Sequence, residues 1–259
     1  MCKKIVLSSL IIFFASMNIF AEVAYIDPIQ AYKTNYIITG EHIEDQVKFQ
    51  LSIMYPLFWP FNTGLYFGYT QLSYWRIYDK SSPFEDTNYS PEFFYKFESG
   101  DNIFNDYRIK FVDYIQISPI QHRSNGQPSG PDDRSENKYY GEIQLSVGEV
   151  YNFGVRGKVF GYYNVADGNK DINVYHKNYE TGIFFKNLSK RISGLEREKV
   201  EITFGGNPTN RGWVKAEVSA RLITSYFQPR LFVQFFRGYD EFMMYYNIKT
   251  EAVRIGLSF

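Results

Sequence analysis

Apolar and polar residues alternate with a period of two through most of this chain, in stretches about as long as a strand that crosses a bilayer. Over residues 47–57, Val47, Phe49, Leu51, Ile53, Tyr55 and Leu57 share one face, opposite Lys48, Gln50 and Ser52. Residues 213–222 set Val214, Ala216, Val218, Ala220 and Leu222 against Lys215, Glu217, Ser219 and Arg221. The pattern predicts strands at 33–40, 46–57, 64–78, 88–98, 106–122, 137–149, 151–165, 173–186, 197–205, 212–223, 229–238 and 251–259. Twelve is an even number, as a single-chain outer-membrane barrel requires. The fold class is therefore all-β, a twelve-stranded antiparallel transmembrane β-barrel over residues 22–259. Its charged face must be the lumen, because an Arg or Lys on the lipid face at mid-bilayer costs about 2–4 kcal/mol. Inward positions then include Lys48, Glu92, Lys96, Arg108, Lys110, Glu142, Arg156, Lys158, Lys215 and Glu217. Both signs facing across a narrow interior predict a filled, ion-paired barrel.

Composition agrees with this reading. Aromatic residues make up 19% of the chain, with 23 Tyr and 24 Phe, types that favour pleated, half-buried surfaces. Mean hydropathy is −0.33, and past the first two dozen residues no apolar run reaches the roughly 20 residues that a spanning helix needs. The start of the chain reads as an export leader: Lys3 and Lys4, the apolar run Ile5 to Phe14, and cleavage expected after Ala21. Removing residues 1–21 leaves 26 basic against 28 acidic side chains and no cysteine, since Cys2 lies in the leader. No nucleic-acid partner is indicated by that balance.

One segment departs from the alternation, residues 121–137, QHRSNGQPSGPDDRSEN. It holds His122, Ser124 and, thirteen residues on, Asn137. In the strand that follows, Asn137 shares the lipid-facing side with Tyr139, Ile143, Leu145 and Val147. In the strand before, Tyr107, Ile109, Phe111, Ile115 and Ile117 are apolar and odd, so His122 and Ser124, being even, would point inward if the pleat ran unbroken. For the three to meet, the phase must slip once. Ser118–Pro119 is the expected place, because Pro cannot donate to the ladder and is tolerated at bulges. Granted the slip, the chemistry is hydrolytic: Ser124 the nucleophile, His122 its base, Asn137 the neutral group that holds the imidazole in one tautomer. A second polar residue in the lipid-facing band is Gln71, beside Leu65, Phe67, Tyr69, Trp75 and Ile77; an amide there is best explained by a partner across a membrane interface. The competing class is a non-catalytic porin-like or structural barrel, with 121–137 a polar surface loop.

His122-Arg123-Ser124-Asn125-Gly126, Arg134-Ser135-Glu136-Asn137, and upstream Val47 to Ser52, Tyr69-Thr70-Gln71, Trp75, Ser81-Ser82-Pro83-Phe84 and Thr87-Asn88-Tyr89 together resemble the outer-membrane phospholipase A family. The terminal Val253 to Phe259 resembles the C-terminal assembly signal of outer-membrane barrels. The resemblance implies a Ca2+-dependent hydrolase of phospholipid acyl esters, of phospholipase A1, A2 and lysophospholipase type. It implies a homodimer in the bacterial outer membrane, with its site on the barrel exterior and Gln71 at the interface. Carried over by position, calcium would be held by the carbonyl of Gln127, the side chain of Asp133 and Ser81 of the partner subunit. An extra loop residue leaves Asp132 as an alternative to Asp133. A further family ligand, an acid, falls at Gly168, with Asp167 as its neighbour. Arg123 stands where the family has an acid and Glu136 where it has Trp; a carboxylate beside His122 would raise its pKa.

Overall fold

The computed structural model describes residues 28–41, 47–58, 63–98, 111–148, 152–187, 195–207, 210–222 and 229–259. The expected leader, Arg108, Lys110, Tyr107 and Ile109 lie outside these residues. After a two-residue pairing, β1 (Gln30–Ala31), come β2 (Tyr36–Glu41), β3 (Val47–Pro56), β4 (Leu65–Trp75), β5 (Phe84–Glu98), β6 (Val112–Ser124) and β7 (Ser135–Val147). They are followed by β8 (Asn152–Val165), β9 (Tyr179–Lys186), β10 (Leu195–Gly205), β11 (Trp213–Leu222), β12 (Arg230–Gly238) and β13 (Thr250–Ser258). Each strand from β2 to β13 pairs antiparallel with the next, and β13 returns to β2 through Val253↔Glu41 to Ser258↔Tyr36. The result is a closed twelve-stranded barrel without a free edge, as predicted.

The two faces of the wall are those of a membrane barrel. Ile117, Ile143, Val147, Val159, Val253 and Ile255 are exposed, whereas Lys48, Thr70, Glu92, Gln116, Lys138, Gln234 and Arg254 are buried in the interior. The interior charges pair. Lys48 Nζ lies 2.8 Å from Glu241, Arg254 Nη1 2.7 Å from the same Glu241 oxygen, Lys33 3.3 Å from Glu92 and Arg156 2.9 Å from Glu201. Removing one partner from such a pair strands a buried charge at a cost of about 3–5 kcal/mol. The lumen keeps a cavity of about 430 Å³ that runs from Gln121, Arg123 and Lys138 behind the site to Arg156, Lys158 and Glu217.

Two loops depart from the sequence reading, and both do so by burying side chains in the lumen. Residues 173–175, expected to open a strand, belong instead to a helical turn, α1 (Ile172–Tyr175), with Ile172 fully buried, and the strand starts only at Tyr179. Ile172 and Val174 alternate as a strand would, but tertiary burial of Ile172 outweighs that local pattern. The connection from β12 to β13 also folds inward, burying Glu241, Phe242, Met243 and Tyr246. Asp86 Oδ2 accepts from the Met243 and Met244 amides at 2.7 and 3.2 Å, and the Tyr74 hydroxyl donates to the Glu241 carbonyl at 2.5 Å.

Candidate active site

The site is built on a slip in β6. Gln116 and Ser118 are buried inward while Ile117 is exposed; past Pro119 the parity inverts, with Ile120 exposed and Gln121 buried. The pairing shows why. Against β7, Ser118↔Tyr140 is followed by Gln121↔Lys138, so three steps on β6 meet two on β7. Against β5 the same stretch runs Ile117↔Tyr95 to Ile120↔Phe93. One extra residue therefore sits in β6 at Pro119, which has no N–H to leave unpaired there. The slip turns His122 and Ser124 onto the outer face.

His122 then falls directly opposite Asn137 in the ladder, and its Nδ1–H donates to Asn137 Oδ1 at 2.9 Å. An amide oxygen only accepts, so the proton is on Nδ1 and Nε2 is left as the basic nitrogen. Ser124, two residues on along the same face, stands between Tyr89 of β5 and Ser135 of β7. The structure thus brings the three expected site residues to one patch of outer wall.

The loop after Ser124 is closed by Asn125, whose role the sequence reading missed. Its backbone N–H donates to the Arg134 carbonyl at 3.0 Å and its Nδ2 to the Asp132 carbonyl at 2.9 Å. Its Oδ1 accepts from the amides of Arg134 and Gln127 at 3.1 and 3.4 Å. The Asn-Gly pair was the available signal. Gly126 takes φ +69°, and a Cβ there would come within 2.8 Å of the Tyr89 ring, so only glycine lets the loop cross that ring. Gln127 and Asp132 are exposed at the loop surface and Asp133 is half-buried. Ser81 is exposed at the tip of the β4–β5 hairpin, where Ser81 and Ser82 take φ +68° and +42°. That tip is held by Trp75 Nε1, which donates to the Ser82 carbonyl at 2.9 Å, and by Arg76, 2.9 Å from Glu85.

Among the described residues no three His, Cys, Asp or Glu side chains converge as a metal cage. The oxygens available at the loop suit a hard cation that completes its shell with carbonyls, water and a second chain. Gly168 leaves no room for a side chain: a Cβ there would lie 2.2 Å from the Asp133 carbonyl oxygen and 2.4 Å from Arg134 Nη1. Its neighbour Asp167 points away, pairing with Lys170 at 2.8 Å.

Two other expectations change. Glu136 is not beside His122. It is fully buried on the opposite, luminal face, 3.0 Å from Lys138 and 3.7 Å from Arg123, because it neighbours Asn137 along a pleated strand. Gln71 faces outward as expected but is not alone. Its Oε1 accepts from the Tyr69 hydroxyl and its Nε2 donates to Ser73 Oγ, each at 3.2 Å, and Thr87 Oγ1 donates to the same Ser73 oxygen at 3.2 Å. A polar row thus crosses a wall bordered by Phe67, Phe84, Trp75 and Phe93.

Behind the site, Arg123 Nη1 donates to both Asp240 carboxylate oxygens at 3.1 Å, and Nη2 donates to Asn88 Oδ1 at 3.1 Å. His176 Nδ1 lies 2.8 Å from Asp240, and its Nε2 is hydrogen-bonded to Glu180 at 3.2 Å. Burial alone would raise the Asp240 carboxyl, but Arg123 and His176 hold it well below the usual range. Burial pushes the His176 imidazole down, and the carboxylates of Asp240 and Glu180 more than reverse this, leaving it raised.

Residues 13–259 match the family model described as Phospholipase A1. The phospholipases A1 of Salmonella typhimurium and Escherichia coli are each 31% identical over 221 residues, covering 83% of this chain and 69% of theirs. The outer membrane phospholipase A of E. coli superposes with a TM-score of 0.71 at 24% identity, covering 89% of this chain and 93% of its own. The Salmonella typhi outer membrane phospholipase, solved as a dimer with bound calcium, gives 0.70 at 25%, covering 89% and 91%.

Proposed function

The chain belongs to the phospholipase A1 family, and from that premise we propose that it is a calcium-dependent outer-membrane hydrolase of phospholipid acyl esters, active as a dimer through Ser124, His122 and Asn137. The observation that carries the reading is the 2.9 Å bond from His122 Nδ1–H to Asn137 Oδ1 on the outer wall, just past the slip at Pro119. On this reading the three residues meet the membrane at the rim of the apolar band, where phospholipid esters lie.

The steps follow from the residues. Ser124 Oγ attacks the ester carbonyl carbon as His122 Nε2 takes its proton, and Asn137 holds the ring so that Nε2 faces the hydroxyl. His122 then returns the proton to the departing alcohol oxygen, leaving an acyl-Ser124 ester. Water attacks that ester with the same nitrogen as base, releasing fatty acid and restoring Ser124. Asn137 is neutral, so it supplies position and tautomer rather than charge. Calcium, when bound, supplies positive charge for the developing oxyanion. The residues that would hold it are the Gln127 carbonyl and Asp133, with Ser81 of a second copy. Gln71 and its polar row lie at the dimer contact in this reading, and residues 1–21 are the leader removed on export.

A porin-like role is disfavoured by the paired charges and folded-in loops of the lumen. The test is release of fatty acid from phospholipid micelles by the purified chain. Release should need calcium, stop on chelation, and be abolished by Ser124→Ala and by His122→Ala.

A further inference from the structure

The phase of β6 past Pro119 is carried by only five residues, Ile120 to Ser124, because the extra residue uncouples them from the alternation below. A strand that slips by one residue sends every side chain to the opposite face. In the other phase His122 and Ser124 would point into the lumen and Arg123 into lipid. Something must select the observed phase, and the hydrogen bonds of the ladder do not distinguish the faces.

We propose that Arg123 is the positioning residue of the hydrolytic site. Its guanidinium, locked on the luminal side, holds its two neighbours outward. This deepens the hydrolase reading and rests on it for the activity arm. Arg123 lies between His122 and Ser124 in the chain, and its side chain is mostly buried on the luminal face. It is anchored from three elements: Asp240 on the β12–β13 loop, Asn88 on β5 and Glu136 on β7. Asp240 is itself fixed, with His176 2.8 Å away. One guanidinium nitrogen reaches Asp240 and the other reaches Asn88, a planar fork that a single ammonium does not reproduce, so the lock is specific to Arg. Buried Gln121 on the same side adds shape but no charge.

The test combines kinetics with a direct readout of facing. Arg123→Leu makes the luminal face of this stretch apolar and removes the penalty on the alternative phase. In folded barrel, kcat should fall by at least tenfold with KM within about twofold, and Arg123→Lys should recover part of that loss. Asp240→Asn should lower kcat in the same way, with little added effect on top of Arg123→Leu. In parallel, Ser124→Cys is placed in a chain with Cys2→Ala, and alkylation by a bilayer-partitioned maleimide is timed. Outward facing gives rapid labelling, which should slow at least fivefold when Arg123→Leu is added. Unchanged labelling together with unchanged kcat would overturn the proposal, as would a kcat loss in Arg123→Leu that tracks only a smaller folded fraction. The labelling arm needs no catalysis, so an inactive wild type would defeat the hydrolase reading and leave this arm decisive for Arg123.

Discussion

Asn137→Ala is the most informative single substitution at the site, because it deletes one identified bond and nothing else of size. That bond is 2.9 Å long, between the imidazole and a neutral amide. Removing the acceptor leaves the Nδ1–H unpartnered on a half-buried ring, a loss of about 1–3 kcal/mol for an unsatisfied donor. The loss grows in the transition state, when the ring becomes a cation and its hydrogen bonds roughly double in strength. At 1.36 kcal/mol per decade, the expected fall in kcat is about 10- to 100-fold, with KM little changed because Asn137 does not touch the substrate. Asn137→Asp keeps an acceptor oxygen at the same distance and should lose less than Asn137→Ala. The assay is calcium-saturated release of fatty acid from phospholipid micelles, with the folded fraction checked by heat-modifiable gel mobility. An Asn137→Ala variant within twofold of wild type would refute the orienter role. A loss as complete as that of Ser124→Ala would also refute it, since a neutral orienter contributes less than the nucleophile.

Three further outcomes follow from the geometry. Gln71→Ala should weaken calcium-dependent dimerisation by roughly 30-fold, from about 1 kcal/mol at each of two symmetry-related contacts, measured by crosslinking across a dilution series in detergent; unchanged crosslinking would count against the interface. Gly168→Asp should lower activity at every calcium concentration rather than tighten calcium dependence, because its Cβ would strike the Asp133 carbonyl; a lower calcium requirement would contradict this. The raised His176 contributes stability that is complete below the ordinary imidazole value of 6.5 and lost as pH rises through its folded value, whereas the depressed Asp240 contributes stability that is lost only as pH falls below the ordinary carboxyl range. Thermal unfolding of wild type should therefore drop in temperature from pH 6 to pH 9, and His176→Gln should flatten that slope; an equal slope in both would exclude the Asp240–His176 pair as its source.

The wall of the barrel was legible because a pleated strand between lipid and lumen has one rule, and Val200, Ile202 and Phe204 against Lys199, Glu201 and Thr203 state it directly. The slip at Pro119 was legible for the same reason: the apolar residues change parity across it, from Ile117 to Ile120, and Pro supplies a cause. The luminal contents were not, because no local pattern says that Glu241, Phe242, Met243 and Tyr246 fold inward or that Ile172 is worth burying at the expense of a strand. Glu136 shows the limit most plainly. One residue from Asn137 in sequence, it lies on the opposite side of the wall, so neighbourhood along the chain misled where parity would have served. Arg123 and Asp240 meet across 117 residues, and only the closed barrel makes them partners.

The central claim is tested most directly by timed fatty-acid release from phospholipid micelles, comparing wild type with Ser124→Ala, each with calcium and with chelator. Release by wild type in calcium, its loss on chelation and its absence in Ser124→Ala are the predicted results. Release that survives Ser124→Ala, or a folded wild type that releases nothing with calcium present, would contradict the account.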